Sequence, residues 1–215
     1  DQMLFYLPIA GSTFKKIYYD ENMGRAVSKF VPADNLVVPY DTSDLDTCPN
    51  ITQVVRMDLN DLRKKQIAGV YLDIDVIPSQ GEISSVRGEI DRIDGFEPNQ
   101  IDYDCTLLEC HVDLDLEGYE ELDDEGEPTG IKVPYIVTIS QDNGEILSIR
   151  RNFAEDDEKK KKISYFVHYK FLPGFGFYGL GLIHTIGGLA RSATSSLRQL
   201  IDAGTLSNLP AGFKA

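Results

Sequence analysis

The sequence predicts an α+β protein, with a β-rich body carrying small helices and one long helix near the C-terminus. Three observations predict it. Short runs of alternating apolar and polar residues recur between turn signals over residues 12–172. Asn143-Gly144 lies between two such runs, a strong local hairpin signal. From Leu182 onward the apolar spacing switches to the 4-3-4-4-3 pattern of a helix face. The strands precede the long helix instead of alternating with helices, so the class is α+β and not α/β.

Taken in order, residues 3–40 read as β-structure. Ser12 to Tyr19 alternates, Asp20-Glu21-Asn22-Met23-Gly24 turns the chain, and Arg25 to Val31 returns as the second arm of a hairpin. Leu36-Val37-Val38 reads as a short buried run between Pro32 and Pro39, and residues 41–50 are loop chemistry throughout. Ile51 to Met57 reads as a strand. Asn60 or Asp58 can cap a short helix ending near Ala68, with Gly69 as its stop, Leu62 and Ile67 inward, and Arg63, Lys64 and Lys65 in water. Ile83, Val86, Ile90 and Ile93 have the spacing of a second helix.

Thr106 to Leu116 alternates, which predicts a strand with Val112, Leu114 and Leu116 inward and His111, Asp113 and Asp115 outward. An acidic loop follows from Glu117 to Glu127. Lys132 to Ser140 and Glu145 to Phe153 flank Gln141-Asp142-Asn143-Gly144 as a hairpin. A second charged loop, Glu155 to Lys162, precedes a strand over Ile163 to Leu172.

The C-terminal segment organises the rest. Gly174, Gly176, Gly179 and Gly181 form a glycine-rich hinge into a helix from about Leu180 to Ala203, stopped at Gly204. Leu182, Ile186, Leu189, Ala193, Leu197 and Leu200 fall on one narrow stripe, and His184, Arg191, Arg198 and Asp202, with Ser195 beside them, on the opposite face. His184, Arg191 and Arg198 recur at seven-residue steps and form a ladder. Gly187, Gly188, Ala190, Ser192, Ala193, Ser195 and Ser196 are small enough to let a neighbouring helix approach closely.

Composition narrows the function classes. The 215 residues are 42% hydrophobic, enough for a core. No run of about eighteen uncharged apolar residues predicts a membrane span, and DQMLFYLPIAG has no basic n-region of a signal peptide. The chain lacks an initiator Met and opens inside an apolar run, so a piece of a longer protein is expected. The net charge is −14. Residues 171–215 hold three cations and one carboxylate, a balance of +2 that leaves the remainder at −16. An acidic body argues against tight nucleic-acid binding, which needs Lys and Arg at phosphates. Three cysteines, Cys48, Cys105 and Cys110, have no disulfide-framework spacing and read as reduced thiols.

Several constellations invite chemistry and fall short. Gly174 to Gly179 is a formal G-x-G-x-x-G after a strand and before a helix, yet no second strand with an acidic residue follows. Nucleotide binding there is therefore the weaker alternative, and no cofactor is predicted. Cys105 and Cys110, five apart in a strand, point to opposite faces and cannot share a metal with His111. The carboxylates from Asp113 to Glu127 lack the EF-hand spacing, so no metal site is predicted. The basic run Lys159 to Lys162 is neutralised by Glu155 to Glu158 and reads as a solvated tip. No nucleophile–base arrangement can be argued from three isolated histidines, so no catalytic residue is predicted.

The run FVHYKFLPGFGFYGLGLIHTIGGLARSATSSLRQLIDAGTLSNLPAGFKA resembles the region entering the stem of the portal proteins of tailed double-stranded DNA bacteriophages. Upstream, KKIYYDENMGRAVSKFVPADNLVVPYDTSDLDTCPNITQVVRMDLNDLRKKQIAGVY is similar to the wing segment of that family. The resemblance is densest over Tyr165–Ala215 and thin between about Ser79 and Asp104. It implies a structural virion protein without catalysis: a ring subunit, typically one of twelve, at one capsid vertex. Residues 1–170 would be the wing, 171–205 the hinge and a stem helix, and 206–215 the start of the clip. His184, Arg191, Ser195 and Arg198 would face the DNA channel or the adjacent subunit. The implied partners are the terminase large subunit, head–tail connector or tail proteins, capsid and scaffolding proteins, and double-stranded DNA that passes through without tight binding. The implied location is the portal vertex of the virion, with host cytoplasm during assembly. A β-rich virion or tail adaptor without a channel is the alternative.

Overall fold

The computed structural model describes residues 1–20, 24–76, 92, 95, 104–122 and 127–208. The protein is α+β: two antiparallel sheets with three helices among the described residues, one of them long and C-terminal. The chain divides into two compact units, Asp1–Ala33 with Phe166–Ala215, and Asp34–Tyr165. The long helix and the strand before it thus share a unit with the N-terminal residues.

The first unit is a three-stranded sheet in the order β2-β1-β8. Strands β1 (Ser12–Asp20) and β2 (Arg25–Pro32) form the expected hairpin, with Phe14 opposite Val31. Strand β8 (Phe166–Lys170) pairs antiparallel with β1 and places His168 opposite Phe14. Phe14, Val31, Phe166 and Phe177 are its buried apolar residues. β8 is shorter than the predicted strand from Ile163 to Leu172.

Before β1 the chain is helical, not β. Helix α1 (Gln2–Ala10) ends at Gly11, whose φ of 88° lets its N–H turn back to the Leu7 carbonyl at 2.8 Å. The run is apolar all round and contains Pro8, so no period marks it as helix and proline argues against one. Tyr6 packs edge-on against Phe30 of β2 at 5.8 Å between centroids.

The second unit is a five-stranded antiparallel sheet in the order β3-β4-β5-β6-β7. Its strands are β3 (Leu36–Val37), β4 (Asn50–Asp58), β5 (Asp104–Leu114), β6 (Val133–Ser140) and β7 (Ile146–Arg151). Of the predicted buried run at 36–38, Leu36 is buried and Val37 is exposed. Helix α2 (Leu59–Ile67) follows β4. The carboxylate of Asp58 accepts from the Asn60 N–H at 3.3 Å, which settles the cap, and Gly69 takes a φ of 74° beyond the end. Leu62 packs against Cys105, Leu107 and Leu147. Ile67 does not turn inward: it is 77% exposed, because a helix of nine residues offers the sheet only a narrow stripe.

On the opposite face of the sheet Val133, Tyr135 and Val137 form a second cluster, joined by Val112, Leu114 and Leu116 as their alternation predicts. His111 departs from that pattern. Its side chain is buried, its Nε2 lies 2.9 Å from Glu109 Oε1, and Tyr165 packs on it at 5.6 Å. Both faces of this sheet are covered, so alternation no longer separates inside from outside. The β6–β7 hairpin forms as expected, with Gly144 at a φ of 71° and a bulge between Thr138 and Ile139. The helix predicted over Ile83 to Ile93 lies outside the described residues.

Helix α3 (Leu182–Asn208) runs for 27 residues, about 40 Å at ~1.5 Å per residue. It passes through Gly204, the predicted stop. A lone glycine costs a helix only ~1 kcal/mol, and at Gly204 nothing lies within 4 Å. Among the described residues no helix is long and apolar enough to cross a membrane.

Candidate functional site

The site is the root of α3 and the two faces of the helix that leaves it. The root begins with glycines remote in sequence. A Cβ on Gly179 would meet the Gly11 carbonyl oxygen at 2.6 Å and that of Leu172 at 2.8 Å. One on Gly181 would meet the Ile9 carbonyl oxygen and, at 2.7 Å, the Gly11 nitrogen. Only glycine permits these backbones to cross so closely. The segment after β8 is also tied to itself by Leu172 and Leu180, which exchange backbone hydrogen bonds at 3.2 and 2.7 Å. The Phe171 N–H donates to the Gly11 carbonyl at 3.0 Å.

The four glycines expected as a hinge therefore differ. Gly179 and Gly181 are clamped against backbone. A Cβ on Gly174 would meet the Tyr178 carbonyl at 2.8 Å, while Gly176 is open.

Side chains complete the root. Ser12 is buried at the start of β1, and its hydroxyl oxygen accepts from the Gly179 N–H at 2.7 Å. The same oxygen lies 3.1 Å from His168 Nε2. Phe177 folds back from the glycine turn, stacks with Phe14 at 5.9 Å and packs at a tilt on His168 at 4.7 Å. Burial among these rings, and secondarily the charge of Lys170, depresses the His168 pKa to about 4. His168 is neutral at pH 7.

From this root α3 projects with none of its residues buried. The predicted apolar stripe is all present and all exposed, from Leu182 at 40% to Leu189 at 73%, and it includes Ile186, Ala193, Leu197 and Leu200. Ile183 and Ile201, equally exposed, widen it. They sit beside Leu197 on a 100° wheel, so the helical spacing itself carries a stripe wider than six residues. The hydroxyls of Thr185, Thr194 and Thr205 donate back to helix carbonyls at 3.2, 2.8 and 2.8 Å.

On the other face Arg191, Ser195 and Arg198 are exposed. His184, the first rung of the ladder, has a second role: its Nδ1 accepts from the Gly181 N–H at 3.1 Å and caps the start of the helix. That geometry puts the ring proton of neutral His184 on Nε2.

The second unit contains a relationship that local sequence did not reveal. Lys160 pairs with Glu121, so the two charged loops, read separately as solvated, meet. Lys160 adopts a left-handed φ of 46°, held by Asp157, whose carboxylate accepts from the N–H groups of Lys159 and Lys161 at 3.0 Å each. A cleft of about 620 Å³ opens there, lined among others by Tyr135, Phe153, Arg151, Lys160, Glu120 and Glu155. Cys105 faces the α2 side of its sheet, while Cys110 accepts from the Thr52 hydroxyl at 3.6 Å.

Compared with protein-family models and with curated proteins, the chain matches none.

Proposed function

We propose that this chain is part of a bacteriophage portal subunit, comprising wing and stem entry, that assembles into a ring-shaped channel for packaging and ejecting double-stranded DNA. The observation that carries the reading is the exposure of α3 on every side. A helix of 27 residues with no buried side chain and a stripe of leucine and isoleucine leaves several large apolar groups in water. Exposed apolar patches of this kind mark interaction surfaces. Copies packed side by side around a ring would cover the stripe and leave Arg191, Ser195 and Arg198 for the lumen or the next subunit. The resemblance of residues 166–215 to stem-entry sequences supports the same reading.

The charge distribution fits it. A conduit must let DNA slide, and sparse arginines on an otherwise acidic body, net −14 for the chain, avoid the tight phosphate neutralisation that would stall it. On this reading the subunit has no catalytic step of its own. It docks the terminase large subunit, then connector or tail proteins, at the portal vertex of the capsid.

Negative-stain electron microscopy of the full-length protein tests this. Closed rings, typically of twelve subunits, are expected. A protein that stays monomeric at high concentration would overturn the reading, and an open or non-ring assembly would favour a virion or tail adaptor.

A further inference from the structure

We propose that Ser12, His168 and Gly179 form a latch that fixes the direction in which α3 leaves its sheet, and that protonation of His168 opens it. The inference rests on the root of α3 alone and not on the portal reading.

Ser12 has one hydroxyl proton and an oxygen that already accepts from the Gly179 N–H at 2.7 Å. His168 Nε2 lies 3.1 Å from the same oxygen and can accept the Ser12 proton. That requires a neutral ring with its proton on Nδ1. Ser12 is 2% exposed, so its hydroxyl has no ready alternative in water. A protonated ring turns Nε2 from acceptor to donor, displaces the Ser12 proton from that position and sets a cation against Phe14 and Phe177.

The surroundings bias the latch toward closed. From β1, Phe14 lies against the ring at 4.4 Å, and from the glycine turn Phe177 does so at 4.7 Å. The charge that acts on the ring is cationic, Lys170 on the ring's own strand, with its ammonium 6.0 Å from the Phe177 ring; on β1 the Lys16 ammonium lies 5.7 Å from the Phe166 ring. From the turn, Tyr178 contributes an edge against Phe177. His184 of α3 is engaged one step away with the Gly181 N–H. Apolar rings and like charge both favour the neutral imidazole.

The latch matters because no residue of α3 is buried, so its direction rests on its root and on its contact with α1. A helix of about 40 Å pivoting by ~10° at its root moves its tip by roughly 7 Å.

Amide hydrogen exchange of this chain, expressed as protection factors so that intrinsic pH effects cancel, tests the latch. In the wild type, protection of the Gly179 amide and of the first turn of α3 should fall about tenfold between pH 7 and pH 4, the scale of one lost hydrogen bond, while the β1–β2 hairpin keeps its protection. His168→Gln presents a carbonyl acceptor that does not titrate, and its protection should stay flat over the same range. Ser12→Ala should lose protection already at pH 7. Wild-type protection that does not change with pH, or an equal acid loss in His168→Gln, would overturn the proposal. If Ser12→Ala does not fold, the comparison of wild type with His168→Gln decides alone.

Discussion

The Ser12 hydroxyl accepts a hydrogen bond from the Gly179 N–H at 2.7 Å, across 167 residues of chain. It joins the first residue of the first strand to the turn that launches the last helix. Around it, Gly11 meets Gly179 and Gly181 backbone to backbone. The root of α3 is therefore a long-range structure, built from the two ends of the sequence.

That crossing predicts unequal glycines. Gly179→Ala places a methyl against two carbonyl oxygens at 2.6 and 2.8 Å. Backbone cannot retreat as a flexible side chain can, so a loss of about 1–3 kcal/mol is expected. Gly176→Ala meets nothing within 4 Å and should be neutral or stabilising by up to ~1 kcal/mol, through the unfolded state. Urea unfolding midpoints check both, and equal effects would contradict the crossing.

In the second unit Leu62 and Ile67 separate in the same way. Leu62 is 3% exposed and packs on Leu107 and Leu147. Leu62→Ala should cost about 2–5 kcal/mol. Ile67→Ala, at a position 77% exposed, should stay within about 0.5 kcal/mol. The same denaturation series measures both.

His168 makes stability depend on pH. The folded protein binds a proton there near pH 4, while the unfolded chain binds it near the ordinary value of 6.5. Between these values the unfolded state holds more protons, so acidification favours unfolding. The contribution of neutral His168 is complete above pH 6.5 and is lost progressively as pH falls to about 4. The wild-type urea midpoint should drop more over that range than the midpoint of His168→Gln, and parallel curves would refute the assignment.

Arg191 and Arg198 lie on an exposed helix face, so the double substitution by Glu should leave monomer stability within about 0.5 kcal/mol while lowering DNA packaging or ring assembly. Leu189→Glu with Leu200→Glu, at positions 73% and 71% exposed, should likewise spare folding and block self-association. Sedimentation velocity reads association, and a packaging assay reads DNA uptake. Unchanged values in both assays would remove α3 as the working surface.

What the sequence determined by itself is local. The β1–β2 hairpin, the Asn143-Gly144 turn, the capped α2 and the two faces of α3 are each specified within about twenty residues, by a period, a cap or a turn pair. α1 escaped because an apolar run around Pro8 has no period and its proline speaks for the opposite state. α3 outran Gly204 because one glycine is a weak stop.

Tertiary structure alone decided the rest. Nothing near Gly11 in sequence announces Gly181, and nothing near Lys160 announces Glu121. His111 lies inward because residues from other segments cover that face of the sheet, a fact its own strand cannot encode. Period and capping act over one or two turns of chain, whereas the close approach that demands glycine, and the burial that strips a histidine of its proton, exist only once distant segments share a volume. The stripe on α3 is set by the spacing of its own residues, but that it stays uncovered is decided by the fold, in which no residue of that helix is buried.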